Sequence, residues 1–208
     1  MKLIKQIVLS TLVALGIFCA VFYTSCSKDA CKGVTCLNNG TCRGGSCTCV
    51  DSGTGGANCE IIYRQLYAGQ GGAPQTYLGN AVISYTRFDS ASLDSGYINH
   101  TDAGNTLVFS YSSSDTIDNK MTLAWKDGAN QIFSTPIFLQ NNTATGSTFT
   151  IPSTSVTLPT SISRKSGTFK LTGNGSVSTT NASLNITAVP VDSTTPTIYF
   201  TLSNCSKQ

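Results

Sequence analysis

Apolar and polar side chains take turns along much of the second half of the chain. Leu107, Phe109 and Tyr111 alternate with Val108 and Ser110, and Met121, Leu123 and Trp125 alternate with Thr122, Ala124 and Lys126. The same beat returns at Phe169 and Leu171, at Ala182, Leu184, Ile186 and Ala188, and at Ile198, Phe200 and Leu202. A period of two puts one set of side chains on a core face and the other in water, so these runs predict half-buried β-strands. Breakers separate them at residues 102–105, 127–130, 141–142, 173–175 and 193–196. Gly and Asn accept turn conformations, and Gly173 to Ser176 gives the best hairpin signal, joining the Phe169 strand to one starting near Val177. No window of twelve residues carries a helical stripe. The count is eight to ten short strands, which reads as an antiparallel β-sandwich or β-barrel over residues 61–208. Residues 61–67, an apolar patch, are either the first strand or the piece that packs a small module onto the large domain, and residues 68–75 read as a Gly-rich loop.

The start of the chain has a different pattern. Lys2 and Lys5 precede residues 7–23, which are uncharged and mostly apolar. A basic start, an apolar middle and small residues before a cut form an export signal, assigned here to residues 1–25. The run is slightly short of the ~20 residues that a retained membrane span needs.

Composition narrows the chemistry. Charged residues make up 11% of the 208 residues, against the usual ~25%. Ser and Thr supply 55, and there is one Glu (Glu60), one Trp (Trp125) and one His (His100). Most helical bundles and coiled coils are excluded by that composition. A net charge of +3 provides no basic patch for nucleic acid. His100 has no second His and reads as a surface residue beside a turn, not as a base. Glycosidase chemistry needs two facing carboxylates, and nothing in the sequence pairs Asp89, Asp94, Asp115 or Asp118. No phosphate loop or dinucleotide fingerprint occurs. The expectation is a protein with no catalytic residues, no metal and no cofactor.

Six cysteines are spaced Cys31-x4-Cys36-x5-Cys42-x4-Cys47-x-Cys49-x9-Cys59. Behind an export signal, a dense and even set implies disulfides, and the single-residue spacing does not suit zinc. Large apolar residues are nearly absent between Cys31 and Cys59, so bridges have to hold this unit. Six cysteines permit fifteen pairings, and spacing does not choose among them. Cys205 is left as an odd thiol, read as buried at a strand end.

Two resemblances add to this reading. Tyr23, Thr24, Ser25 and Cys26 resemble the lipobox of bacterial lipoproteins, although Tyr23 stands where that family usually has Leu. The resemblance implies cleavage before Cys26 and acylation of its sulfur. Cys19 competes, but it follows the bulky Phe18 inside the apolar run. Two or more acyl chains give stable membrane attachment. Ser27, Lys28 and Asp29 look like the short tag that sends some Gram-negative lipoproteins to the outer face of the outer membrane, and equally like a plain polar tether. Next, residues 38–42 resemble the Asn-Gly-Gly-x-Cys turn of epidermal-growth-factor-like modules, and Cys47 and Cys49 match their Cys-x-Cys. That resemblance implies pairs Cys31–Cys42, Cys36–Cys47 and Cys49–Cys59. The single carboxylate of residues 27–30 argues against a calcium site there.

The expected organisation is a signal over 1–25, a lipid-anchored tether over 26–30, a disulfide module over 31–60 and a β domain over 61–208. The expected role is binding or adhesion at the cell envelope, with an unidentified protein or glycan partner. A lipocalin-like carrier of a small apolar ligand is the alternative, and a surface polysaccharide hydrolase the third. Three Asp-Ser/Thr-apolar triplets, at Ser90, Thr116 and Ser193, resemble bacterial O-glycosylation sites.

Overall fold

The computed structural model describes residues 30–50, 52–86, 97–159, 167–192 and 197–208. The first hairpin is small: β1 (Thr41–Arg43) pairs antiparallel with β2 (Ser46–Thr48). Disulfides join Cys31 to Cys42, Cys36 to Cys47 and Cys49 to Cys59. Each closes a loop of about a dozen residues, which in the chain-entropy picture is worth on the order of 3 kcal/mol. Next, β3 (Thr54–Gly55) pairs with β4 (Ile61–Ile62), which runs straight into a one-turn helix, α1 (Tyr63–Tyr67), and a 3-10 turn at Gln70–Gly72. Residues 61–67 are therefore the packing piece and not the first long strand.

Eight long strands follow: β5 (Gln75–Thr86), β6 (Tyr97–Ser110), β7 (Lys120–Asp127), β8 (Asn130–Gln140), β9 (Gly146–Leu158), β10 (Gly167–Ser178), β11 (Asn181–Pro190) and β12 (Ile198–Lys207). Each pairs antiparallel with the next and β12 pairs with β5, so the sheet is a closed up-and-down barrel and not a sandwich. Closure removes the free edges that an open sheet would expose, except along β8 and β9, which pair at only three positions.

An eight-stranded barrel is just wide enough for side chains to fill. Phe109 of β6 meets Phe149 of β9 with centroids 5.7 Å apart, and Trp125 of β7 meets Phe200 of β12 at 4.9 Å. Neither pair belongs to neighbouring strands, so the rings touch across the interior. The outer wall of β10 to β12 is the opposite. Thr168, Thr172, Asn174, Ser176, Asn185 and Thr201 are exposed, and Lys170 is the only charged residue on that wall before Lys207. Apart from Val189, 47% exposed in β11, this wall is apolar inside and polar outside, the reverse of one that faces lipid.

Two breakers lie inside strands. Residues 102–105 form a bulge in β6, where Gly104 takes φ +79° and Ala103 and Gly104 together oppose Asn80. The bulge absorbs an extra residue without ending the strand. Gly173 and Gly175 lie within β10, and the hairpin falls later, between Ser178 and Asn181. A Cβ on Gly175 would strike the Phe149 ring and the Ser183 carbonyl, and one on Gly173 the Asn185 carbonyl. These glycines make room for the aromatic filling and for close strand approach.

Candidate functional site

One end of the barrel is closed. The Tyr67 hydroxyl lies 2.9 Å from Ser147 Oγ at the start of β9, and both are buried. The Tyr77 hydroxyl donates to the Ser178 carbonyl at 2.9 Å. Burial pushes the Tyr77 phenol up to about 12, and the Tyr67 phenol is raised mainly by the same cause. Arg64 locks the helix in place. Its guanidinium donates to the carbonyls of Ile117 (2.7 Å) and Asp115 (3.1 Å), pairs with Asp118 (3.1 Å) and lies over the Tyr111 ring at 4.6 Å. Asp115 in turn pairs with Lys120 at 3.0 Å. Asp115 and Asp118 are thus both engaged in ion pairs at this joint.

The disulfide module docks at the same end. Asn119 donates to Ser52 Oγ at 3.1 Å, the Asn142 amide donates to the Ser52 carbonyl, and Tyr63 N–H donates to the Gly53 carbonyl at 2.9 Å. Glu60 braces the turn at residues 56–60, ahead of β4. Its own amide and that of Asn58 hold the carboxyl below its usual range.

Two shallow concavities lie on the outer wall along β10, β11 and β12. One, of about 310 Å³, is lined by Thr172, Asn174, Asn185, Thr187, Tyr199 and Thr201, on a floor of Gly173, Ile186 and Phe200 backbone. The other, of about 300 Å³, continues over Ser176, Ser178, Asn181, Ser183 and Asn204 toward Asn141. Hydroxyls and amides both donate and accept, and no charged group lines either surface.

A third feature is a seam in the wall. Strands β8 and β9 pair only at Phe138↔Thr150, Leu139↔Phe149 and Gln140↔Thr148, next to the closed end. Two prolines explain why pairing stops there. The Leu139 N–H donates away from β9, to the Asn119 carbonyl at the β7 side. Backbone groups alternate sides along an antiparallel strand, so Phe138 and Pro136 face β9. By the same alternation Thr150 and Pro152 face β8. Proline has no N–H, so the ladder loses its next donor on both strands. A bulge between the Ile151↔Gly173 and Thr154↔Leu171 pairs then turns β9 away. Beyond it Thr154 and Val156, on the inner face opposite Leu171 and Phe169, are only half-buried, while Ile151 is 4% and Leu158 0% exposed.

Cys26, Ser90 and Ser193 lie outside the described residues, as do Asp89 and Asp94, whereas Thr116 is exposed in the loop between β6 and β7. His100 lies in β6 with its Cα opposite Ile83, and what it lies beside is the bulge at residues 102–105 and not a turn. Among the described residues no three His, Cys, Asp or Glu side chains converge. Cys205 is buried against Gly79, and burial raises its thiol. The closed-end latch at Arg64 and the proline seam escaped sequence reasoning. Two prolines within strand-rich sequence were the available signal for the seam. Comparison with protein-family models, curated proteins and solved structures finds no match to this chain. The class defined by fold and site is an eight-stranded up-and-down barrel with a disulfide-rich module docked on its closed end.

Proposed function

We propose that the protein is a non-catalytic, lipid-anchored binding protein of the bacterial cell envelope. Cleavage before Cys26 and acylation of its sulfur tether the chain to the outer membrane. The disulfide module, related to epidermal-growth-factor-like units, then acts as a rigid spacer in an oxidising compartment. The observation that carries this reading is the docking of the module, with Arg64 and α1, on the closed end of the barrel. An anchor ahead of Cys31 puts the module nearest the membrane, which leaves the opposite end of the barrel and its sparsely charged outer wall free for a partner. The wall's hydroxyls, amides and Tyr199 suit a neutral polar partner, a glycan or a protein surface. Membrane fractionation with and without Cys26→Ala tests the anchor. The parent chain is expected in the membrane fraction and the variant in the soluble fraction; equal distribution would overturn it.

The lipocalin-like carrier is a second reading, favoured by the barrel topology and the seam between β8 and β9.

A further inference from the structure

The seam points to a function for the barrel interior. We infer that the gap between β8 and β9 is a lateral gate through which a small apolar molecule reaches the inside of the barrel. This inference rests on the carrier reading and is independent of the anchor. Three observations carry it.

First, the gap is built into the sequence. Pro136 and Pro152 face it from opposite sides, so neither strand can supply the next donor of the ladder. The same prolines blunt both edges against an added peptide strand, which would need those donors. The occupant favoured by this wall is therefore not an extended chain.

Second, the gap admits solvent sideways. Thr154 and Val156 point into the barrel yet are half-buried. Leu158, further along β9 and away from the closed end, is fully buried. Access from the end opposite the helix would expose Leu158 before Val156. The exposure at Val156 thus comes through the wall.

Third, the frame is uncharged. Neither residues 130–137 nor residues 151–158 contain Asp, Glu, Lys or Arg. Phe138, 43% exposed, is the last paired position, and Phe133 and Ile137 of β8 are buried behind the frame. Most of the rest of the frame is uncharged Asn, Gln, Ser, Thr and Pro, so a neutral molecule crossing here displaces no ion pair. The interior it enters is filled along its axis by Trp125, Phe109, Phe149 and Phe200. A molecule entering there would therefore lodge on the side facing the seam, against Val156 and Thr154, and has to be small.

The test uses the mature chain with Cys26→Ala and N-phenyl-1-naphthylamine, an uncharged apolar fluorophore. Stopped-flow mixing gives its association rate. Pro136→Thr with Pro152→Thr restores both donors and is expected to zip the seam. The association rate should fall at least tenfold, and the amides of residues 132–137 and 153–157 should gain protection from hydrogen exchange. Val156→Phe fills the gate with a ring and needs no new ladder. It should slow association in the same direction even if the double variant does not fold. Association at the parent rate in a folded Val156→Phe, or in a double variant whose amides have become protected, overturns the gate and leaves the carrier reading standing. Absence of any binding to the parent chain overturns both.

Discussion

Replacing Arg64 with Met removes one charge from the joint between helix and barrel while keeping much of the side chain's apolar stem. The guanidinium makes two hydrogen bonds to loop carbonyls, one ion pair and one ring contact. Hydrogen bonds to a charged group contribute roughly 1.5–3 kcal/mol each, and the low end applies here because Ile117 is exposed and water can replace the donor. The Asp118 side chain is 27% exposed, so its pair with Arg64 contributes about 1 kcal/mol. The contact with Tyr111 adds roughly 0.5–1 kcal/mol. Against this gross ~4–5 kcal/mol, Arg64 Nε is buried without a partner, and removing it returns about 1–2 kcal/mol. The expected net loss is about 3 kcal/mol, or a fall in Tm of roughly 6–12 °C for a chain of this size. Urea unfolding of the disulfide-intact soluble form, followed by Trp125 fluorescence, measures it, because Trp125 is the single Trp and is buried in the barrel. Lys120→Met serves as the comparison. Its ion pair is about one-third exposed and its loss should stay within ~0.5 kcal/mol. A loss below ~1 kcal/mol for Arg64→Met, or equal losses for the two variants, would refute the latch.

Other expectations follow from the interior. Tyr77 holds its proton to about pH 12 in the folded state and to about 10 when unfolded, so its share of stability is complete below pH 10 and disappears as pH rises toward 12. The urea midpoint should therefore drop between pH 9 and 11.5, and drop less in Tyr77→Phe; an identical drop in both would rule Tyr77 out as the cause. Gly175→Ala should cost about 1–3 kcal/mol by overpacking against the Ser183 carbonyl and Phe149, read from the same urea curves, and a neutral result would contradict the tight approach. Cys205 should be silent to a thiol reagent in the native soluble form and react on unfolding, because it is buried and its thiol is raised; rapid native labelling would place it at the surface.

Much of the barrel can be read from alternation. The runs named from their period of two fall in strands, save Tyr111 one residue past β6, because inward residues such as Leu184, Ile186 and Phe200 must be apolar. Glycine misleads where it serves space instead of a turn. Gly173 and Gly175 read as a hairpin because a pattern does not register a ring, Phe149, arriving from the neighbouring strand. The bulge at residues 102–105 was hidden for the same reason, since a turn and a bulge both use Gly at positive φ. Arg64 was illegible because its partners are mostly backbone carbonyls more than fifty residues away, which leave no pattern beside it. The seam was legible in principle. Pro136 and Pro152 both sit in strand-like sequence, but only the pairing shows that they face each other's strand.

The measurement that bears most directly on the account is an intact-mass determination of the protein extracted from membranes of a Gram-negative host, before and after reduction and alkylation. The account predicts a chain beginning at Cys26 with added acyl mass, in which the six cysteines from Cys31 to Cys59 take up alkylating reagent only after reduction. A chain with an unmodified amino terminus, whose six cysteines react without reduction, would contradict it.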